Sequence, residues 1–271
     1  MKALPLGRRR VMFVLPVLIV ASAAAAGCDL AMADMRQKET VEWRKTYDLQ
    51  PGGRFELSNV NGRIDVQPGS GTSVEVVAEK SARAGSVEAA KEALGRIEIQ
   101  ENASASIVRL ETKLQRRTGG FFGGWNQEVH YRVKVPASVE VRLTTVNGGI
   151  ELSGLKGRVT AEATNGGIKV HDVSGALDAS TTNGGVEAEL TDVADSGVRL
   201  GCTNGGIRLR LPSNAKATIS ARVTNGGIHT DGIDIEPVGE ASRRRLEGRL
   251  NGGGPRIDLE GTNGGIRIAA R

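Results

Sequence analysis

"ATNGGIKVHDVSGALDASTTNGGVEAEL", residues 163–190, states nearly the same unit twice: Asn165-Gly166-Gly167-Ile168 returns eighteen residues later as Asn183-Gly184-Gly185-Val186. Counting back from Asn183, Thr181, Ala179 and Leu177 share one face, and after the earlier turn Ile168 and Val170 point the same way. Alternation with a period of two, in small and β-branched residues, marks half-buried strands. Each unit therefore reads as strand, short turn ("VSG" or "LSG"), strand, Asn-Gly-Gly.

Working outward, Asn-Gly recurs at Asn61, Asn147, Asn165, Asn183, Asn204, Asn225, Asn251 and Asn263, and the spacings from Asn147 to Asn225 are 18, 18, 21 and 21, with 38 more to Asn263. A near-constant period of this length signals a repeat architecture. Two architectures share the local pattern, a meander of hairpins closed by Asn-Gly turns and a solenoid of stacked coils. The meander leaves a wide apolar face, and the repeats contain no amphipathic helix to cover it. A solenoid coil encloses its own thin core, which suits a chain with 37 glycines and only 3% aromatic residues. The expectation is an all-β, single-stacked β-solenoid (β-helix-like) with coils of about 18–21 residues.

In such a stack the corners Asn147, Asn165, Asn183, Asn204, Asn225 and Asn263 are structural turns. Coils repeat about 4.8 Å apart, so like residues lie over like. The bend calls for positive φ, which Gly accepts freely and Asn better than most. Stacked Asn amides satisfy one another in a ladder, and Thr164, Thr182, Thr203, Thr224 and Thr262 form an outward column beside it.

The rest of the chain divides around this core. "MKALPLGRRRVMFVLPVLIVASAAAAG" has a basic start, an apolar stretch and small residues, the pattern of a signal peptide over residues 1–27. "AAGC" resembles a lipobox, which favours cleavage before Cys28 and lipidation of that cysteine; the alternative is ordinary cleavage after Ala33. Residues 28–44 read as a linker and 45–271 as one domain, with an irregular starting half over 45–145 and regular repeats over 146–271. Ser86 and the helix formers after it predict one short helix near 86–96. Cys202 is left without an intramolecular partner, so no disulfide framework is expected.

Charge gives no argument for a nucleic-acid partner. Without residues 1–27 the chain carries 32 Lys and Arg against 31 Asp and Glu, so its high pI belongs to the export signal and does not argue for nucleic acid.

"FELSNVNGRIDV", "YRVKVPASVEVRLTTVNGGIEL" and the successive "TNGGI" units resemble the bacterial adhesin-like β-strand-repeat family, a domain family of unknown function. The resemblance spans about residues 45–271. It implies an exported all-β solenoid and carries no catalytic residues over.

Candidate sites remain few. Glu151, Lys169, Glu187, Arg208, His229 and Arg267 form an outward charged row, read as a solvated ladder that holds register or as a stripe for an anionic partner. Phe121, Phe122 and Trp125 sit between glycine pairs in "RRTGGFFGGWNQ" as a candidate contact loop or as a cap folded over the open end. "SRRR" at 242–245 is a basic cluster suited to acidic headgroups or simply solvated. His130, His171 and His229 have no metal-ligand spacing, and no P-loop, nucleophile elbow or dinucleotide fingerprint occurs, so neither metal nor cofactor is expected.

These readings add up to a non-catalytic, exported envelope protein, an interaction or scaffold module facing the periplasm. Its partners are a membrane, through lipid on Cys28, and an envelope protein or glycan. The alternatives are a surface adhesin and a carbohydrate-active solenoid enzyme.

Overall fold

The computed structural model describes residues 37–115, 126–239 and 242–271. The expected signal peptide, Cys28, Phe121, Phe122 and Trp125 lie outside the described residues.

In chain order the elements are β1 (Gln37–Asp48), β2 (Arg54–Asn61), β3 (Ile64–Pro68), β4 (Ser73–Ala84), α1 (Val87–Gly95), β5 (Ile97–Ala103), β6 (Ile107–Leu114) and β7 (Asn126–Val135). The repeats follow as β8 (Glu140–Asn147), β9 (Ile150–Ser153), β10 (Val159–Asn165), β11 (Ile168–Val173), β12 (Leu177–Asn183), β13 (Val186–Leu190), β14 (Val198–Asn204) and β15 (Ile207–Leu211). The last elements are β16 (Ala217–Asn225), β17 (Ile228–Asp231), β18 (Ile235–Pro237), β19 (Arg245–Leu250), β20 (Arg256–Asn263) and β21 (Ile266–Ala270).

The alternation seen in the sequence places the strands in two sheets. Each coil gives one strand to each: the segment before the Asn-Gly corner joins one sheet, and the segment after it joins the other. The first sheet runs β18-β19-β16-β20-β14-β12-β10-β8-β2-β6-β5 and the second β1-β4-β7-β3-β9-β11-β13-β15-β21-β17. Neighbouring coils pair in parallel, with Leu177 beside Val198 and Ile168 beside Val186. The protein is thus all-β and solenoid-like, a stack of two largely parallel sheets.

One expectation is corrected. Residues 37–44, expected in a linker, are the first part of β1, which pairs antiparallel with β4 along its whole length. Coil order departs from chain order. Strands β20 and β21 sit between the coil β14/β15 and the coil β16/β17. The 38-residue gap before Asn263 is therefore a return into a slot the chain had skipped.

The core is the dry layer between the sheets. Within the repeats it is lined by Ala161, Val170, Ala188, Leu200, Leu209 and their equivalents, all fully or almost fully buried. Each such Val, Leu or Ile contributes roughly 1.5–3 kcal/mol. The starting half is wider and holds the ring residues Phe55, Tyr131 and Tyr47. There Tyr131 Oη and Thr112 Oγ1 meet at 2.7 Å in the interior, joining β7 of one sheet to β6 of the other. The expected helix is α1: Ser86 Oγ accepts from the Ala89 amide at 3.1 Å, and Ala90 and Ala93 face the interior. It packs on β1 and β4 and closes the wide end. At the other end the antiparallel strands β18 and β19 cover β16.

Candidate interaction surfaces

Every side chain the repeat displays is positioned by its corner. The first glycine of each corner has φ between +111° (Gly62) and +159° (Gly166), a region other residues avoid. A Cβ on Gly205 would stand 1.8 Å from the Gly184 carbonyl oxygen, so close stacking demands glycine as strictly as the bend does. The Asn itself does not take positive φ; among the described non-glycine residues only Asp172 and Asn251 do. Asn is there for its amide. Asn147 donates to Asn61 (2.8 Å), Asn165 to Asn147 (2.9 Å), Asn183 to Asn165 (2.8 Å) and Asn204 to Asn183 (2.9 Å). The ladder continues through the inserted coil, with Asn263 donating to Asn204 (2.8 Å) and Asn225 to Asn263 (2.9 Å). Backbone bonds at the corner run the other way, as Gly184 N–H donates to the Asn204 carbonyl. The two sets of dipoles oppose and offset each other. Asn251 stands apart in a turn, donating to the Ser213 and Ala215 carbonyls.

Behind the corner, the inward position two residues before the Asn carries a polar or thiol group in four coils (Asn59, Thr145, Thr181 and Cys202) and is Ala163, Val223 or Gly261 in the others. Thr181 Oγ1 donates to the Gly166 carbonyl at 2.8 Å, and the Cys202 thiol makes the equivalent contact with Gly184 at 3.0 Å. Burial raises the Cys202 pKa, so the thiol is held protonated as a structural group. Asn59 takes the Gly62 carbonyl, and Thr145 Oγ1, the next residue in this column, is buried without a partner among the described residues.

The outward columns form the displayed surface. Thr164, Thr182, Thr203, Thr262 and Thr224 are all exposed and, in this spatial order, line a trough of about 540 Å³ on the first sheet. On the second sheet the charged row runs Glu151, Lys169, Glu187, Arg208, Arg267, His229, so the inserted coil places Arg267 ahead of His229. Arg208 pairs with Glu187 at 3.1 Å, Arg267 with Asp231 at 3.0 Å, and Arg63 with both Asp65 and Glu151. His130 Nε2 lies 3.6 Å from Glu128 and His171 Nδ1 3.9 Å from Glu189. No group of three or more metal-ligating side chains occurs among the described residues.

The basic turn Ser242–Arg245 lies over the last corner. The Arg244 carbonyl accepts from Val223 N–H at 3.0 Å and the Arg243 carbonyl from Ile228 N–H at 2.9 Å, bridging the two sheets. Ser242 Oγ accepts from the amides of Arg244 and Arg245 and holds the turn's shape. Sequence reasoning noticed these arginines but missed Arg222, which pairing places directly opposite Arg245. A lone arginine in an alternating strand gives no local signal of what faces it.

A family profile described as Toastrack DUF4097 matches residues 129–269, just over half of the chain. No curated protein matches the sequence. Among solved structures, a candidate cell adhesion protein from Clostridium sporogenes is similar over 85% of this chain and 100% of its own, at 12% identity and a TM-score of 0.44. A candidate adhesin from Parabacteroides merdae is similar over 85% of this chain and 96% of its own, at 10% identity and a TM-score of 0.30. A candidate lipid-binding protein from Parabacteroides distasonis is similar over 87% of this chain and 97% of its own, at 10% identity and a TM-score of 0.25.

Proposed function

The chain belongs to the Toastrack DUF4097 family, and from that premise we propose that it is a non-catalytic interaction or scaffold module of a bacterial envelope. It is exported, anchored through lipid on Cys28 and held on the periplasmic face of a membrane, where a single-stacked β-solenoid displays fixed columns of side chains. One observation carries this reading: a continuous amide ladder from Asn61 to Asn225 fixes seven corners in register. The outward Thr and charged columns are thereby held at about 4.8 Å intervals. A surface with so little freedom loses little entropy when a partner docks on it.

Two experiments test the proposal. Cells grown with radiolabelled palmitate are expected to label the chain and to leave Cys28→Ala unlabelled; equal labelling, or none, removes the anchor. A photocrosslinker at Thr203 is expected to capture a discrete envelope component. Smearing over many products, or release of reducing ends from envelope polysaccharide by the purified chain, would replace the scaffold with a passive coat or an enzyme.

A further inference from the structure

The charge of this protein is divided along its stack. Residues 37–195 carry nineteen Lys and Arg against twenty-two Asp and Glu, whereas 196–271 carry twelve against seven, and eleven of those twelve are Arg. The coil insertion gathers this excess at the end where β16, β17 and β19 lie. Residues Arg222 and Arg245 stand directly opposite each other on antiparallel β16 and β19. Like charges in that relation destabilise a sheet. The Arg245 guanidinium is partly offset by Glu247 at 2.7 Å. Arg245 holds the Glu247 carboxyl below its ordinary pKa, with Arg222 and Arg256 adding to the effect. No described carboxylate lies at ion-pairing distance from Arg222, Arg243, Arg244 or Arg249, and all four are exposed. Arg243 runs across the glycine of the last corner beside His229: a Cβ on Gly227 would meet Arg243 Nε and His229 Cε1, each at 3.3 Å.

Position adds a second argument. The chain enters through β1, which is one edge of the ten-stranded sheet, and β17 is the other edge. Nine strand spacings separate them, about 43 Å at roughly 4.8 Å each. Arginines meant for the headgroups that hold a Cys28 lipid would belong at the β1 end. These sit at the far end, on a turn clamped to both sheets before any ligand arrives. Arg rather than Lys favours anions met by two parallel N–H bonds, the geometry of phosphate and carboxylate.

We propose that the tip formed by Arg222, Arg243, Arg244 and Arg245 docks a phosphate-bearing polyanionic envelope polymer, away from the membrane that anchors the protein. The excess positive charge of the last coils steers the polymer to the tip, and the fixed guanidinium groups grip successive phosphates. This deepens the interaction reading above and rests on it.

The test uses the full chain purified in detergent, with immobilised inorganic polyphosphate as the probe. Polygalacturonate serves as the carboxylate polymer, and vesicles of phosphatidylglycerol in phosphatidylcholine as the membrane. Binding to polyphosphate is expected at near-physiological salt. It is expected to fall about tenfold or more in Arg222→Gln/Arg243→Gln/Arg244→Gln. The charge-matched control Arg142→Gln/Lys156→Gln/Arg158→Gln, on exposed residues of earlier coils, is expected to change it less than about twofold. Arg222→Lys/Arg243→Lys/Arg244→Lys keeps the charge and is expected to lose several-fold all the same. An unchanged melting temperature shows that each variant is folded. Equal losses in tip and control variants, no binding by the parent, tighter binding to polygalacturonate or tighter binding to the vesicles would each overturn the proposal. Crosslinking from Thr203 in the same preparation separates the two levels: an adduct without polyphosphate binding removes the polyanion alone, and neither removes both.

Discussion

Arg271 Nη2 donates to Asp172 Oδ1 at 2.6 Å across 99 residues of sequence, while its Nε reaches Glu189 at 2.8 Å. Its backbone N–H also donates to the Leu211 carbonyl at 2.7 Å. One residue at the end of the inserted coil therefore ties together β11, β13 and β15. Asp172 has φ +53°, so the ion pair is held on a left-handed backbone that ordinarily favours glycine. The expectation is that Asp172→Gly is close to neutral, because relief of the backbone offsets the lost pair. Asp172→Ala keeps the backbone cost, loses the pair, and is expected to be less stable than the glycine variant by about 1 kcal/mol. Urea denaturation of both variants checks this; equal stabilities would remove the claim of backbone strain.

The two glycines of a corner are unequal. Gly205→Ala brings a methyl to 1.8 Å from the Gly184 oxygen, whereas Gly206→Ala places one 3.4 Å from the Gly265 oxygen. The first change is expected to cost about 3 kcal/mol or more and the second under about 1 kcal/mol. In a domain of this size that separates the melting temperatures by at least roughly 4 °C. Similar melting temperatures would mean that the corner relaxes where these contacts say it cannot.

The inserted coil should behave as interior. Ile257 and Leu259 are fully buried between β14 and β16. Peptides covering 256–268 are expected to exchange amide hydrogens as slowly as those covering 198–209, and far more slowly than those covering 235–239. A coil wound in chain order would lie at the edge and exchange early. Leu259→Ala, at the centre of the slot, is expected to cost about 2–5 kcal/mol.

Alkaline stability reports on the wide end. Burial pushes the Tyr131 phenol up from 10.0 to about 12, and burial together with the Glu101 carboxylate raises Tyr47 further. A raised folded-state pKa means that the unfolded chain loses its proton first. The stability is therefore complete below pH 10 and is lost as pH rises toward 12. For Tyr131 the loss is about 2–3 kcal/mol. Tyr131→Phe leaves Thr112 Oγ1 without its partner and is expected to cost about 1–3 kcal/mol at neutral pH. The same variant should soften the alkaline decline, which denaturation at pH 8 and pH 11 would measure.

Much of the display surface is legible in the sequence. Thr164, Thr182 and Thr203 stand outward as alternation requires, and Asn165 and Asn183 stack because units of equal length bring them together. The tip is not. Arg222 and Arg245 lie 23 positions apart on β16 and β19, whose antiparallel pairing is made by a long excursion through β17 and β18 that no short turn motif announces. The conformation of Asn was also misjudged, since the side-chain ladder, and not a left-handed backbone, accounts for it.

The amino-acid sequence determined on its own that strands alternate, that they turn at Asn-Gly-Gly, and that the units stack. Those properties arise from side-chain period, glycine sterics and amide pairing, all of which act within a few residues. Only the tertiary structure decided which coil lies on which. Every unit offers the same edge, an amide and a glycine followed by a β-branched residue, so any coil fits above any other. Local chemistry is degenerate in that choice. The antiparallel cover of β18 and β19 on β16 breaks the tie by making that coil terminal, which leaves the interior slot, buried on both sides, to residues 256–271.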